Sequence, residues 1–265
     1  MKENLDLGLK DKVAIVAGGG SNGDGIGNGR AASILLAEAG AKVLVVDVNE
    51  KFAHNTVNLI KNNGGNAFAI SADLTSSIEC EKVIKEVINK WGRLDILDNN
   101  IGIASNTSVV NESEKYWDKV MNINLKPMFL MSKYSIPAMI NSGDGGVIIN
   151  ISSISATRPK GYTSYSASKG AVISLTKAMA VDHGTDGIRV NCILPGPVYT
   201  PMVYQDGMSD KLRKIRKDAS LLNVEGDGFD IGKAVVYLSS NWAKYITGQT
   251  LSLIHISEPT RLSLI

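Results

Sequence analysis

The sequence predicts an α/β domain in which a parallel sheet is covered by helices on both faces. Three observations lead there. Apolar runs of strand length alternate with longer segments of helical period from one end to the other. The strand candidates are continuously apolar, as strands buried on both faces must be. No linker or low-complexity break precedes about residue 250 of the 265, so residues 1–250 read as one domain.

The first element is Val13–Ala17 (VAIVA), a buried strand, and Arg30–Ala39 (RAASILLAEA) follows as a helix. Lys42–Asp47 (KVLVVD) is the next strand, before a helix over about 51–62. Asn66–Ala72 is a third strand, Ser76–Trp91 a helix and Leu94–Leu97 a short strand. A long helical region covers about Glu114–Asn141, interrupted near Pro127. Val147–Ile151 is strand-like, Ser164–Asp182 helical and Ile188–Leu194 strand-like again. Pro197–Asp227 is the longest irregular stretch, which suits a lid or substrate loop.

Composition excludes several classes. At 44% hydrophobic and 20% charged, the chain has enough apolar surface to offset its ordering entropy. A formal net charge of +2 argues against a nucleic-acid binder held by a broad basic surface. Apolar stretches reach about five or six residues, far below the roughly 20 that span a bilayer. The opening MKENLDLGLKDK has no secretory apolar core. Cys80 and Cys192 match no metal-ligand spacing and are expected to be buried free thiols in a reducing cytosol. The expectation is a soluble cytoplasmic protein with no metal, nucleic-acid or membrane partner.

LSLI occurs at Leu251–Ile254 and again at Leu262–Ile265, and Leu251–Arg261 (LSLIHISEPTR) reads as a translated sequencing-transposon adapter. The tail 251–265 is therefore expected to be non-native, with the last strand truncated or replaced, and His255 is set aside with it.

After the first strand comes Gly18, Gly19, Gly20, Ser21, Asn22, Gly23, Asp24, Gly25, Ile26, Gly27, Asn28, Gly29, and then a helix. Glycines let such a loop turn tightly and approach a diphosphate, and the helix start offers it free N–H groups. Asp47 ends the second strand about 20 residues on, where a carboxylate would accept from an adenosine ribose. Asp47 and Asp24 would repel a 2′-phosphate, which favours NAD over NADP. Tyr165 and Lys169, in YSASK, are spaced to lie on one side of a helix. A phenol with an ordinary pKa of about 10 needs help to act as a base, and a nearby ammonium would supply it.

These motifs resemble the short-chain dehydrogenase/reductase family over about residues 10–250. The carrying residues are the glycine loop, Asp73-Leu74, Asn99-Asn100-Ile101-Gly102, MNINLKP, INISSIS, YSASK, and Pro195-Gly196 with VYT behind it. The resemblance implies a Rossmann-type, doubly wound sheet of about seven strands. It also implies hydride transfer between NAD and a secondary alcohol or ketone. In that scheme Tyr165 is the acid/base, and Lys169 assists it and binds the nicotinamide ribose. Ser153 holds the substrate oxygen, and Asn124 anchors a relay water. Ser152 in place of Ser153, and a purely structural Asn124, stay open. Gly18, Gly25, Ile26, Gly27 and Asp47 would bind cofactor, with Asp73 and Leu74 at the adenine and Asn99 and Gly102 at the ribose. Pro195, Gly196, Val198 and Thr200 would wall the nicotinamide. A homo-oligomer, tetramer or dimer, is implied as well.

The alternatives are an NADPH-dependent 3-oxoacyl thioester reductase and a non-catalytic NAD-sensing regulator. Lys211, Arg213, Lys214, Arg216 and Lys217 read as a solvated helix face, or else as an anion site for an acyl-carrier substrate. Departures from the family pattern are the six residues between Gly18 and Gly25, Asp98 at a usually apolar position, and Ile101 in place of alanine.

Overall fold

Strands form where the apolar runs stand: β1 (Val13–Ala17), β2 (Lys42–Asp47), β3 (Asn66–Ser71), β4 (Ile96–Asn99), β5 (Gly146–Ile151), β6 (Ile188–Leu194) and β7 (Thr250–Ser252). The computed structural model describes residues 6–159, 161–205 and 207–254. The strands make one sheet in the order β3-β2-β1-β4-β5-β6-β7, and every pairing is parallel. The order reverses between β1 and β4, so the connections after these strands leave toward opposite faces. A crevice opens there at the carboxyl edge of the sheet.

The helices are α1 (Asn28–Glu38), α2 (Glu50–Asn62), α3 (Ser77–Trp91), α4 (Glu114–Asn124), α5 (Lys126–Asn141), α6 (Thr163–His183), α7 (Pro201–Tyr204), α8 (Asp210–Asp218) and α9 (Gly228–Ser239). On one face Leu36, Val57, Ile60 and Val235, from α1, α2 and α9, pack on Val16, Ile96 and Ile149. On the other, Val83, Leu130, Met131 and Met179, from α3, α5 and α6, pack on Ile15, Leu97 and Ile148. Burying both faces is the dominant stabilisation of such a sheet, at about 25 cal/mol per Å² of apolar surface. Asn49, Ser76 and Ser113 cap α2, α3 and α4 by accepting backbone N–H bonds.

Several boundaries differ from expectation. The fourth strand runs over Ile96–Asn99, two residues later than the apolar run suggested. The long helical region breaks at Leu125 into α4 and α5, because Pro127 has no N–H to offer the Ile123 carbonyl. The segment 197–227 is not irregular throughout, since it contains α7 and α8. Helix α9 was not foreseen, although Asp227 and Asp230 form a capping box at its start. The seventh strand is present but only three residues long. Its Thr250, Leu251 and Ser252 pair with Cys192, Ile193 and Leu194, so it uses the first two residues of the suspected tail. Residues 255–265, His255 included, lie outside the described residues. No described helix is long and apolar enough to cross a membrane. Cys80 and Cys192 are buried free thiols.

Candidate active site

The glycine loop sits at the sheet's switch point. Gly18 has φ +82°, and its N–H and that of Gly19 both donate to the Val46 carbonyl, at 2.8 and 3.0 Å. Helix α1 begins at Asn28 with Gly27 as its N-cap, and Gly29 packs on Gly18 so closely that a Cβ there would lie 2.1 Å from the Gly18 oxygen. The helix thus begins two residues before the expected Arg30. The loop-to-helix entry is Gly27-Asn28-Gly29, whereas Gly25 and Ile26 belong to an extra lap of loop. Gly25 faces α7, where a Cβ would meet the Tyr204 hydroxyl and Pro201. Asn22 Nδ2 also donates to Gln205 Oε1 at 2.8 Å. Two residues that the sequence did not mark complete the loop. Arg30 is buried beneath it and bonds to its carbonyls, and Thr56 donates to the Gly19 oxygen at 2.9 Å.

Asp47 leaves the end of β2 and accepts from Gly20 N at 3.1 Å and Asn49 N at 2.9 Å. Burial raises its pKa, opposed by those N–H groups and by Arg30. Asp73 accepts from the Thr75 N–H and hydroxyl, and Leu74 is buried behind it. Asn99 is fully buried, and its side-chain amide donates to Asn150 Oδ1 at 2.9 Å. A Cβ on Gly102 would stand 3.1 Å from Lys169 Nζ. The Pro195 carbonyl accepts from Ile154 N at 3.0 Å, and the Gly196 carbonyl from Val198 N at 2.8 Å. Thr200 is buried, and Ile254 packs against Gly196.

Tyr165 and Lys169 share one side of α6, with Lys169 Nζ 6.0 Å from the Tyr165 ring centre. Lys169 is nearly fully buried, and its ammonium donates to the Ile151 carbonyl at 2.9 Å. Burial brings its pKa down to about 8, opposed by Cys192. The Tyr165 phenol is raised above its usual value by burial, with a hydrogen bond to Ser153 acting the other way. The sequence expectation was a phenol lowered by its lysine. In the structure desolvation is the larger effect, and the ammonium is held by a carbonyl instead of by the phenol.

The adjacent serines separate cleanly. Ser152 Oγ donates to the Lys169 carbonyl at 2.7 Å, whereas Ser153 Oγ accepts from Ser155 N at 3.1 Å and meets Tyr165. Asn124 is fully buried at the end of α4. Its amide donates to the Ile103 oxygen and to Ser168 Oγ, both at 3.0 Å, and accepts from Ile103 N at 2.8 Å. It therefore ties the loop after β4 to α6. Glu112 does the same at the start of α6, accepting from Ser164 N at 3.1 Å, Ser164 Oγ at 2.6 Å and Ser105 Oγ at 2.9 Å. No spacing in the sequence marks that role.

The basic cluster is largely paired. Arg213 bonds to Glu225 and lies 4.1 Å from the Tyr199 ring centre. Lys214 pairs with Asp218 at 3.0 Å, and Arg216 donates to the Val198 carbonyl at 3.2 Å. Asp98 is fully buried between Val16 and Ile149. It accepts from Asn100 Nδ2 at 2.7 Å, and its other oxygen has no hydrogen-bond partner among the described residues.

A family model described as enoyl-(acyl carrier protein) reductase matches residues 19–253. A solved structure described as a short-chain dehydrogenase/reductase from Burkholderia xenovorans superposes with TM-score 0.87 at 35% identity, covering 93% of this chain and 96% of that one. The chain belongs to the short-chain dehydrogenase/reductase family. It is thus an oxidoreductase of a family that uses NAD(P)(H). Another family structure is a 7α-hydroxysteroid dehydrogenase complexed with NADH and 7-oxo glycochenodeoxycholic acid. It is 32% identical, with TM-score 0.87 and 94% of each chain covered. A relative from Staphylococcus aureus, a 3-oxoacyl-[acyl-carrier-protein] reductase, is 36% identical over 85% of this chain and 91% of its own.

Proposed function

We propose that the protein interconverts a secondary alcohol and a ketone with NAD(H), using Tyr165 as proton donor and acceptor. The observation that carries this reading is the meeting of Tyr165, Ser153 and Lys169 on one side of the carboxyl edge, beside the Gly18–Gly29 cradle. Residues fit for the dinucleotide are the cradle glycines, Asp47 at the ribose, Gly102 beside Lys169, and the Pro195–Thr200 wall. When bound, NAD(H) would supply the hydride acceptor or donor. The chain's own residues would do the rest. Ser153 would hold the substrate oxygen, and Tyr165 would pass its hydroxyl proton to that oxygen, or take it back. Lys169 would place positive charge near the developing phenolate. Asn124 would fix the loop after β4 that borders the site.

Two features support Ser153 over Ser152: its contact with Tyr165, and the commitment of the Ser152 hydroxyl to the Lys169 carbonyl. A phenol raised by burial favours the protonated acid at neutral pH, which suits ketone reduction. Alcohol oxidation is expected to speed up as pH rises through the phenol's ionisation. The residues 1–250 are read as one catalytic domain, cytoplasmic and homo-oligomeric, with 197–227 as the substrate lid and 251–265 as a non-native tail.

Asp47 supports NAD over NADP, because a 2′-phosphate would meet its carboxylate. Asp47→Ser is expected to reduce the preference for NADH over NADPH by about tenfold or more, measured as a ratio of dissociation constants. An unchanged ratio would remove Asp47 from the specificity argument. A panel of secondary alcohols and ketones, followed by NADH absorbance, tests the reaction itself. The thioester reductase stays as second reading on the strength of the Staphylococcus aureus relative. The paired state of the α8 cations argues against it.

A further inference from the structure

We propose that Arg30 is a positioning residue for the cofactor diphosphate, holding the lengthened glycine loop in its binding shape. This rests on the dinucleotide reading above. Arg30 lies in the first turn of α1 and is only 1% exposed. Its Nη1 donates to the carbonyls of Gly23 and Gly25 at 2.9 and 2.6 Å, its Nη2 to that of Ser21 at 2.9 Å, and its Nε to Thr56 Oγ1 at 3.1 Å. Thr56 continues the chain of bonds to the Gly19 carbonyl. One planar cation thus gathers alternate carbonyls along the extra lap of loop. Only a guanidinium has donors enough, in a fixed fork, to do so.

The consequence follows from peptide geometry. In a trans peptide the carbonyl and the next N–H point in opposite directions, and the described residues contain no cis bond. Drawing in the oxygens of Ser21, Gly23 and Gly25 therefore turns the N–H groups of Asn22, Asp24 and Ile26 away from Arg30. None of these three N–H groups has a partner among the described residues, which leaves them free for phosphate oxygens. The hydrogen-bond acceptors are neutral oxygens, and the carboxylates of Asp24 and Asp47 lie close enough to offset part of the guanidinium's charge, so what Arg30 supplies to the loop is its shape. Without Arg30, a loop this rich in glycine would sample many conformations, and binding would bear the cost of ordering it.

The test is titration of the full chain with NADH, followed by its fluorescence, alongside competition by ADP-ribose and by adenosine. Arg30→Met is expected to raise the dissociation constants of NADH and ADP-ribose by about tenfold or more, leaving adenosine unchanged. Arg30→Lys keeps the charge without the fork and is expected to recover only part of that loss. Thr56→Val, which removes the Nε acceptor, should weaken NADH binding in the same direction, by roughly threefold, even if Arg30→Met does not fold. Wild-type affinity in the Arg30→Lys and Thr56→Val variants would overturn the proposal, as would equal weakening of adenosine and NADH. Failure of the unmodified chain to bind NADH would instead overturn the dinucleotide reading, before any variant is made.

Discussion

At the scale of single residues, burial moves Asp47, Asp98, Tyr165 and Lys169 against their charged forms. Tyr165 and Asp98 rise, and Lys169 falls. Asp98 is the extreme case: burial pushes it up to about 7, and only the Asn100 amide opposes. A carboxyl raised in the folded state binds its proton more tightly there than in the unfolded chain. Its own contribution to stability is therefore fully present below about pH 4 and falls as pH climbs toward 7, by about 1.4 kcal/mol per pH unit at most. Asp98→Asn keeps an acceptor for Asn100 and removes the titration. Its melting temperature is expected to exceed the wild type's at pH 8 and to lose that advantage near pH 4. Parallel melting curves across this range would contradict the account. The Tyr165–Lys169 pair was legible because helical spacing alone puts two residues on one side. The choice between Ser152 and Ser153 was not legible, since neighbours at a strand end face opposite ways and only the register of β5 with α6 decides. Arg30 was illegible for another reason: three of its four partners are backbone carbonyls, which leave no trace in residue type.

At the scale of elements, α6 carries Tyr165 in its first turn but begins without a side-chain cap of its own, at Tyr162 with φ +61°. Glu112 takes over that role from the loop after β4, through Ser164. An anion there also complements the positive end of a 21-residue helix. Burial would raise the Glu112 pKa, but the bonds from Ser164, Ser105 and Thr107 outweigh it and hold the group below the usual range. Glu112→Ala is expected to cost about 1–2 kcal/mol of stability. It should also quicken amide exchange in residues 103–113 and in the first turn of α6, while Glu112→Gln retains most of the protection. Unchanged exchange in both segments would show that the loop holds α6 by other contacts. The strand–loop–helix pattern of the glycine cradle was legible as a unit, but the point at which the helix begins was not. Two glycine pairs overlap in Gly25-Ile26-Gly27-Asn28-Gly29, and close packing on Gly18, a tertiary contact, selects the second.

At the scale of the molecule, the alternation of apolar strands and amphipathic helices was enough to foresee a parallel sheet covered on both faces. Helix α9 escaped because it follows the long segment 197–227, although it supplies Ile231, Val235 and Leu238 to the core. The architecture brings the ends of β1, β4, β5 and β6 to one edge, so residues far apart in the chain meet there. The central claim concerns what happens at that edge, a proton exchanged by the Tyr165 hydroxyl. Once an alcohol or ketone substrate is in hand, the most direct test is kcat of Tyr165→Phe at saturating substrate, with NADH affinity measured on the same preparation. The expected result is a loss of about 100- to 10,000-fold in kcat with NADH affinity unchanged within a factor of about two. A variant that turns over within a few-fold of the wild type while binding NADH normally would contradict it.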